Sequence, residues 1–371
     1  MIKKILALFL GTMMLVSAMT GCGSTDTNTD PSSSNNPSSS NDVVENTPTT
    51  VTVSTVYGEV EVPFNPDRVS VLNGDAMDVM VTLGLADKVA SVRSTNEYPA
   101  YLADYYTSDS IIQLNLSTKN LPEGADPMEP YYAIDADLII ANVQEIDKEK
   151  YDVISQIAPT VVLDYVSNND NGMYAGVKEN AMTIAKIFGV EDKVTELTKS
   201  YDELYAKLEA ACAGKTCVIT KGKADMNSVQ VQSNNTSGES ESIKDNERAG
   251  LLLNELGMKN LSNEAPEEVS MNATSKAVKA AGEDKEAVKA VAKSITDWIE
   301  SVNPDYLWVI DKTYSSLDEV TAAGFEYSYV TDLSVYKDGG FHFLAKEWTL
   351  ARGGLTGMFT MLDQLAEIVL G

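Results

Sequence analysis

The chain contains few of the side chains that nucleophilic or metal-dependent catalysis requires. His342 is the one histidine of the 371 residues, and Cys22, Cys212 and Cys217 are the three cysteines. A Ser-His-Asp or Cys-His site would therefore have to use His342, and no Gly-x-Ser-x-Gly motif accompanies that residue. Tight zinc or manganese sites usually recruit several imidazoles or thiolates at short spacing. These residue types argue against nucleophilic hydrolysis and a transition-metal cage, so no enzymatic activity, metal site or cofactor is expected. A hard cation held by carboxylates is the alternative left open. His342 is predicted to be a packed strand residue.

Two enzymatic hypotheses find little support in the residue order. Gly214-Lys215-Thr216 looks like the end of a phosphate-binding loop, but the first glycine of that loop would fall at Glu209. The segment also leads into a predicted strand, whereas a phosphate-binding loop opens a helix. A surface hydrolase acting through carboxylates such as Asp75 or Asp164 is the alternative of another class. It requires two carboxylates at glycosidase spacing in one cleft, which nothing in the linear order indicates.

Cationic and aromatic side chains follow several predicted strands. Open α/β sheets place their ligand contacts at the carboxyl ends of the strands. The residues in such positions are Arg93, Tyr165, Lys221 and Tyr314. Trp348 and Arg352 stand four residues apart just before Gly353-Gly354, which predicts a cation beside an aromatic plane near a helix entrance at the cleft. This chemistry suits an anionic ligand with flat parts.

An alternation of strands and helices would position these residues. A hairpin is predicted over Val51–Val62, and short apolar runs then alternate with helical stretches such as Ala76–Leu83 and, later, Leu251–Leu256. This order is typical of parallel sheets covered by helices, and it occurs twice. The predicted strands are Val69–Leu72, Val89–Val92, Leu138–Ala141, Thr160–Leu163, Thr216–Thr220 and Tyr306–Ile310. The sequence therefore predicts an α/β protein with two lobes.

One long amphipathic helix is predicted between the two sets, over residues 191–212. Its apolar stripe consists of Val194, Leu197, Tyr201, Leu204 and Leu208. As a stiff link between lobes 51–190 and 213–371, it would limit ligand capture to modest closure. The alternative is an ordinary surface helix within one lobe. Residues 262–293, rich in Ala, Glu and Lys, are predicted to be a solvated helical insertion in the second lobe.

The first fifty residues predict export and tethering. Charged residues precede an apolar run over Ile5–Met19, as in a signal peptide, and the run is too short to span a bilayer comfortably. Met19-Thr20-Gly21-Cys22 resembles a lipobox, so residues 1–21 are predicted to be removed and Cys22 to be acylated. The alternative is cleavage near Ala18 with an idle thiol at Cys22. Residues 22–50, rich in Ser, Asn, Thr, Asp and Pro, form the predicted flexible tether. The protein is thus expected at the extracytoplasmic face of the cell membrane, in contact with it only through lipid.

The charge balance excludes one class of partner. The formal net charge is −27, from 28 Lys and Arg against 55 Asp and Glu. A surface this acidic repels phosphate backbones, so no nucleic acid is expected, and we predict a monomer. Cys212 and Cys217 are close enough in sequence for a local disulfide in an oxidising compartment, although two separately buried thiols are equally compatible.

A weak internal repeat concerns two acidic residues. Glu129 stands eight residues before Asp137, and Asp297 stands eight residues before Asp305. Each acid is predicted to lie on a helix that feeds a strand, one in each lobe. Both could simply be helix N-terminal acids that the helix dipole favours.

An ordered set of short motifs carries a family resemblance over residues 51–371, apart from the insertion. The motifs are Arg68-Val69-Ser70-Val71-Leu72, Leu83-Gly84-Leu85, Ile157-Ala158-Pro159-Thr160-Val161, Asn303-Pro304-Asp305-Tyr306 and Gly353-Gly354-Leu355. No single motif is specific, but the set resembles the siderophore-type, class III substrate-binding lipoproteins of ABC importers, particularly the branch that binds ferric catecholates. The resemblance implies two Rossmann-like lobes joined by one helix, a ligand in the cleft and no catalysis. It also implies that Glu129 and Asp297 dock onto basic pockets of a permease driven by a separate ATPase.

The resemblance also locates ligand-binding positions. Related proteins have an arginine where this chain has Val143, between Asn142 and Gln144; a second arginine is kept as Arg248, and a third has become Lys312. An arginine triad suits a trianionic ferric tris-catecholate, so this chain is expected to bind a less charged or differently shaped chelate.

The expected ligand is an iron-siderophore-like chelate. The expected contacts are Arg248, Lys312, Trp348, Arg352, Arg93, Asn142, Gln144, Tyr165, Lys221 and Tyr314. Because Val143 makes the site less cationic, a haem or corrinoid receptor of the same fold is the alternative. A structural lipoprotein whose cleft has decayed is a further one.

Overall fold

The computed structural model describes most of the chain after residue 47. The described residues are 48–116, 124–126, 128–143, 145–164, 172–221, 230–231, 252–282, 284–311, 314–324, 328–345, 347–350 and 353–371. The predicted signal peptide and most of the predicted tether lie outside them. So do the predicted site residues Cys22, Gln144, Tyr165, Arg248, Lys312 and Arg352.

The first half contains a hairpin and a five-stranded parallel sheet. The hairpin pairs β1 (Thr50–Thr55) with β2 (Gly58–Pro63). The sheet has the order β5-β4-β3-β6-β7. Its strands are β3 (Val69–Val71), β4 (Val89–Arg93), β5 (Ile112–Leu114), β6 (Leu138–Asn142) and β7 (Thr160–Leu163). The helices of this half are α1 (Gly74–Thr82), α2 (Ala103–Tyr106), α3 (Lys148–Ile154) and α4 (Met173–Phe188). Strands β3, β6 and β7 are buried along their whole length, as expected for a parallel sheet covered on both faces.

The second half contains another largely parallel sheet. Its order is β10-β8-β11-β12, and β9 pairs antiparallel with β8. Its strands are β8 (Thr216–Lys221), β9 (Gln230–Val231), β10 (Lys259–Asn260), β11 (Tyr306–Ile310) and β12 (Phe341–Leu344). The helices are α6 (described over 252–255), α7 (Met271–Ala281), α8 (Lys285–Val302), α9 (Leu317–Ala322), α10 (Ser328–Thr331), α11 (Ser334–Lys337), α12 (Glu347–Leu350) and α13 (Leu355–Val369). The expected fold class, α/β with parallel sheets, is confirmed.

A helical layer with a shared apolar core joins the two sheets. The 22-residue helix α5 (Glu191–Cys212) connects the halves, and α13 packs against α1, α4 and α5. One continuous cluster of buried side chains includes Met77 and Ile184 from the first half, Leu208 of α5, and Trp308 and Leu362 from the second. Two smaller clusters cover the outer faces of the sheets. Relative motion of the two sheets would have to disturb this core. The core therefore opposes such motion in addition to the stiffness of α5.

Several local predictions can be compared with the structure. His342 lies in β12 beside Trp308, with ring centroids 5.5 Å apart, and burial lowers its pKa. Gly214-Lys215-Thr216 leads into β8, as predicted. Cys212 and Cys217 are both free and buried, so the local disulfide is not formed. Burial raises the pKa of their thiols to about 11 and about 12, respectively.

The segment 262–293 is largely helical, but it is not wholly solvated. Val288 and Ala292 of α8 are buried, because one face of that helix packs toward the second sheet. Within the described part of the chain, none of the helices has the length and apolarity needed to cross a bilayer.

Candidate functional site

The strand order of the first sheet places a crevice between β3 and β6. The chain proceeds outward from β3 through β4 to β5, then returns to the other side of β3 at β6. In such sheets the ligand binds outside the carboxyl ends of the two strands where the order reverses. Asn73 and Asp75 follow β3, and Asn142 ends β6 with 4% of its surface exposed. The structure thus places the predicted residue Asn142 at the crevice, as a largely buried group.

A later segment of the chain crosses the entrance of α1 at this crevice. The side chain of Asn73 accepts a hydrogen bond from the Ala76 N–H at 3.1 Å and so caps the helix. Asp75 Oδ1 accepts from the Gly353 N–H at 2.9 Å. A Cβ atom added to Gly74 would lie 3.7 Å from the Leu350 carbonyl oxygen, so the two backbones approach closely. Gly353, the residue that follows Arg352 in sequence, is therefore anchored at the crevice.

Arg93 is already paired with an acidic residue. Its Nη1 donates to Glu145 Oε1 at 2.6 Å, and its side chain is 42% exposed. Tyr106 is close to this pair: burial raises the pKa of its hydroxyl, and the charges of Asp75 and Glu145 raise it further. An anionic ligand at Arg93 would have to compete with Glu145. This pairing joins residues from β4 and the loop after β6, and residue order gave no sign of it.

Trp348 does not line the crevice, which corrects the prediction of an aromatic plane there. The side chain is 1% exposed, and its Nε1–H donates to Gln364 Oε1 at 2.8 Å. The same Gln364 oxygen accepts from the Ala345 N–H, so the indole helps to fix α12 against α13. A helix does begin at Leu355, as expected, but α12 turns the ring into the core. The sequence spacing identified the helix entrance and not the direction of the side chain.

Two other predicted contacts of the second half, Lys221 and Tyr314, lie at or near the carboxyl edge of its sheet. Lys221 ends β8, where it is paired in register with Ile310 of β11. Asp311 follows directly and accepts from the Tyr314 N–H at 3.0 Å. Tyr314 packs, partly buried, against the outer core of the second sheet. Lys312, which comes next after Asp311 in sequence, lies outside the described residues.

The two predicted docking acids lie on helical elements that precede strands. Glu129 is exposed and begins a 3-10 helix, Glu129–Ala133, that leads to β6. Asp297 lies in the C-terminal half of α8, which leads to β11, and its side chain is 63% exposed. Lys293 Nζ donates to Asp297 Oδ1 at 2.6 Å. A preference for a helix N-terminus can therefore account for Glu129 but not for Asp297.

Two carboxylates that sequence reasoning missed connect the halves in the helical layer. Asp78 of α1 is fully buried and accepts from the Thr356 and Gly357 N–H groups at the start of α13, each at 2.9 Å. The Tyr101 hydroxyl donates to the same carboxylate at 2.5 Å. Burial raises the pKa of Asp78, and these donors oppose that shift. An acidic residue within the apolar stretch Ala76–Met80 was the available signal.

Glu255 makes the reciprocal connection. Its Oε2 accepts from the Met173 N–H at the start of α4, and its Oε1 accepts from the Tyr205 hydroxyl of α5, both at 2.6 Å. Burial raises the pKa of Glu255. A carboxylate at a helix N-terminus is stabilised by the free N–H groups and the helix dipole. Asp78 of the first half thus caps α13 of the second half, and Glu255 of the second half caps α4 of the first half.

Comparisons with known proteins agree with this architecture. A sequence model of the periplasmic binding protein family matches residues 69–324. The petrobactin-binding protein YclQ of Bacillus subtilis is 27% identical over 311 residues, which cover 83% of this chain and 84% of that protein. The ferric-anguibactin-binding protein FatB of Vibrio anguillarum is 21% identical over 333 residues, covering 88% and 89%.

A solved structure shows the same fold. The periplasmic catecholate-siderophore binding protein VctP of Vibrio cholerae aligns with a TM-score of 0.61 at 19% identity. The alignment covers 86% of this chain and 99% of that one.

Proposed function

Because the chain belongs to the periplasmic binding protein family, we propose that it is the substrate-binding component of an ABC importer that captures a ferric siderophore-like chelate. The observation that carries this proposal is the crevice between β3 and β6, with Gly353 held there by Asp75. The proteins YclQ and FatB bind, according to their names, petrobactin and ferric anguibactin. The ligand is expected to be bound and released without chemical change.

The proposed contacts differ from the sequence-based set in two respects. Trp348 is removed because it is buried, and Arg93 contributes less because Glu145 already neutralises it. We assign the main charge compensation to Arg248, Lys312 and Arg352. These cations would attract an anionic chelate in a chain of net charge −27, where most of the surface repels it.

The proposed cellular setting follows from the first fifty residues. Cleavage before Cys22 and acylation of its thiol would place the folded part on a tether at the extracytoplasmic face of the membrane. There it would act as a monomer and deliver its ligand to a permease and its ATPase.

The first test removes two of the proposed cations. We expect Arg248→Ala with Lys312→Ala to weaken binding by on the order of 2 to 5 kcal/mol, since each loss leaves ligand charge desolvated and unpaired. Titration calorimetry with ferric petrobactin, hemin and cobalamin measures the affinity and separates the ligand classes. Lys276→Ala with Lys289→Ala removes the same charge from exposed positions of α7 and α8 and serves as the control. Equal affinity in both double variants would exclude Arg248 and Lys312 from the site.

The second test concerns docking. We expect Glu129→Gln with Asp297→Asn to slow the uptake of radioactive iron by roughly tenfold while chelate affinity is unchanged, since charge pairs mainly set encounter and orientation. Glu129→Gln alone should slow uptake more than Asp297→Asn alone, because Lys293 already neutralises part of the Asp297 charge. Asp152→Asn removes an exposed acid paired with Lys148 and is the control. Normal uptake by the double variant would contradict the docking assignment.

A further inference from the structure

A small recess lies beneath the crevice of the first sheet. Residues of α1 and α4 form its sides, and Ala141 of β6 and Leu163 of β7 line it next to them. Its polar lining consists of Asn73, Asp75, Asn180 and the backbone of Gly353. The recess is therefore continuous with the contact between Asp75 and Gly353 that anchors the later segment at the crevice.

Asn180, which lines this recess, carries an unsatisfied donor. The residue is 8% exposed, and its Nδ2 is buried with no hydrogen-bond partner among the described residues. A buried donor without a partner costs about 1–3 kcal/mol. Asparagine is also a poor helix former in the interior of a helix such as α4. Neither local structure nor packing accounts for an asparagine here, whereas an acceptor from outside the protein would satisfy the donor.

The lining restricts the chemistry of that acceptor. The recess has room for a group about the size of one water molecule. The Asp75 carboxylate opposes an anionic oxygen, because two negative groups at short range repel each other. A neutral oxygen satisfies both the Asn180 donor and the Asp75 carboxylate, because it can accept a hydrogen bond from the first and donate one to the second. A hydroxyl group or a water has this combination, whereas a carboxylate or catecholate oxygen does not.

We propose that the recess is a hydroxyl subsite of the ligand cleft: Asn180 Nδ2 donates to an uncharged hydroxyl of the chelate, which donates in turn to Asp75. In the ligand-free protein a water takes the same position. The identity of the ligand rests on the proposed function, but the water position does not. Because Asp75 also binds the Gly353 N–H, the occupant is connected directly to the segment that follows Arg352.

The ligand-free test uses nuclear magnetic resonance on the full folded chain. Cross-relaxation between water and the Asn180 side-chain amide is expected, and its absence would overturn the water position. Asn180→Leu should remove the signal and leave the protein folded, because leucine has the same branched shape and no unpaired donor. Asn254→Leu makes the same change at an exposed position of α6 and should leave the Asn180 signal intact.

The ligand test uses gallium(III) petrobactin as a diamagnetic probe. The chelate should displace the water signal, and Asn180→Leu should lower its affinity by about tenfold. Asn180→Asp should lower it further by placing a second carboxylate beside Asp75, while Asn254→Leu should have no effect. A water signal that persists unchanged in the chelate complex would overturn the hydroxyl subsite. Failure of the wild-type protein to bind the probe would instead count against the proposed function, and the ligand-free experiment would still decide the water position.

Discussion

Replacing Asp78 by asparagine is expected to lower the free energy of unfolding by on the order of 3 kcal/mol. One oxygen of this buried carboxylate accepts from the Thr356 N–H, and the other accepts from the Gly357 N–H and the Tyr101 hydroxyl. Whichever oxygen becomes an amide nitrogen, a donor then faces a donor inside the protein. Urea unfolding measures the change, with Asp87→Asn at an exposed position as the control. Equal stability of the two variants would contradict the role assigned to Asp78.

A double-mutant cycle tests the geometry of the junction between Asp78 and the start of α13. A Cβ atom added to Gly354 would lie 2.2 Å from Asp78 Cγ, so the carboxylate occupies the space that any side chain at residue 354 would need. Gly354 has φ −90°, an ordinary extended conformation, and the cost of Gly354→Ala therefore arises from this contact alone. Asp78→Gly, which also removes the Asp78 Cβ atom that would lie 2.3 Å from the added Cβ, should remove most of that cost, which gives an interaction energy of roughly 1 to 3 kcal/mol. Additive effects would show that the two residues do not meet.

Gly172→Ala is expected to have the second large effect and to lower the free energy of unfolding by on the order of 2 to 4 kcal/mol. Here a Cβ atom would lie 2.4 Å from Glu255 Cδ, and the backbone also has φ +101°, which side chains disfavour. Gly324→Ala is a matched control, because Gly324 has φ +84° and nothing within 4 Å of its added Cβ. In a Glu255→Ala background the cost of Gly172→Ala should fall only to that of Gly324→Ala. A fall to zero, or no fall at all, would contradict this division between contact and backbone strain.

The pH dependence of the stability provides a second measurement for the junction between Glu255 and the start of α4. Burial raises the pKa of Glu255, so the folded state holds the proton more tightly than the unfolded state. The stability contributed by this group is complete below the unfolded pKa, near 4.3, and is lost as pH rises through the folded pKa. The stability of Glu255→Gln relative to wild type should therefore increase over that range. Taking the difference between the two proteins cancels the opposite effect of Asp147 and Asp305, whose pKa values hydrogen bonds to backbone N–H groups lower.

Both junctions bear on ligand binding because they lie next to its proposed elements. Asp78 holds the start of α13 three and four residues beyond Gly353, and Glu255 holds the start of α4, the helix that carries Asn180. The shared core and these two caps oppose large rearrangements of the halves. Capture by modest closure, expected from the stiffness of α5, is thus also expected from packing.

Local pattern was enough to predict the hairpin, six strands of the two sheets and the long helix α5. Continuous apolar runs such as Leu138–Ala141 are strands buried on both faces, and the stripe of α5 has the period of a helix that packs along one side. The order of these elements determined the α/β class, and the ordered motifs determined the family. These features depend on neighbours in the chain, so the sequence contains them directly.

The directions and partners of the site residues were decided only by tertiary structure. Nothing near Trp348 in sequence indicates Gln364, and nothing near Arg93 indicates Glu145, because each pair meets only after distant elements have packed. The same holds for Asp78 with Gly357 and for Glu255 with Met173. A buried polar group must find its partner wherever the fold brings one within hydrogen-bond distance, and that distance is set by packing. Composition and spacing therefore predicted the fold class and the family, whereas packing determined which side chains face the crevice.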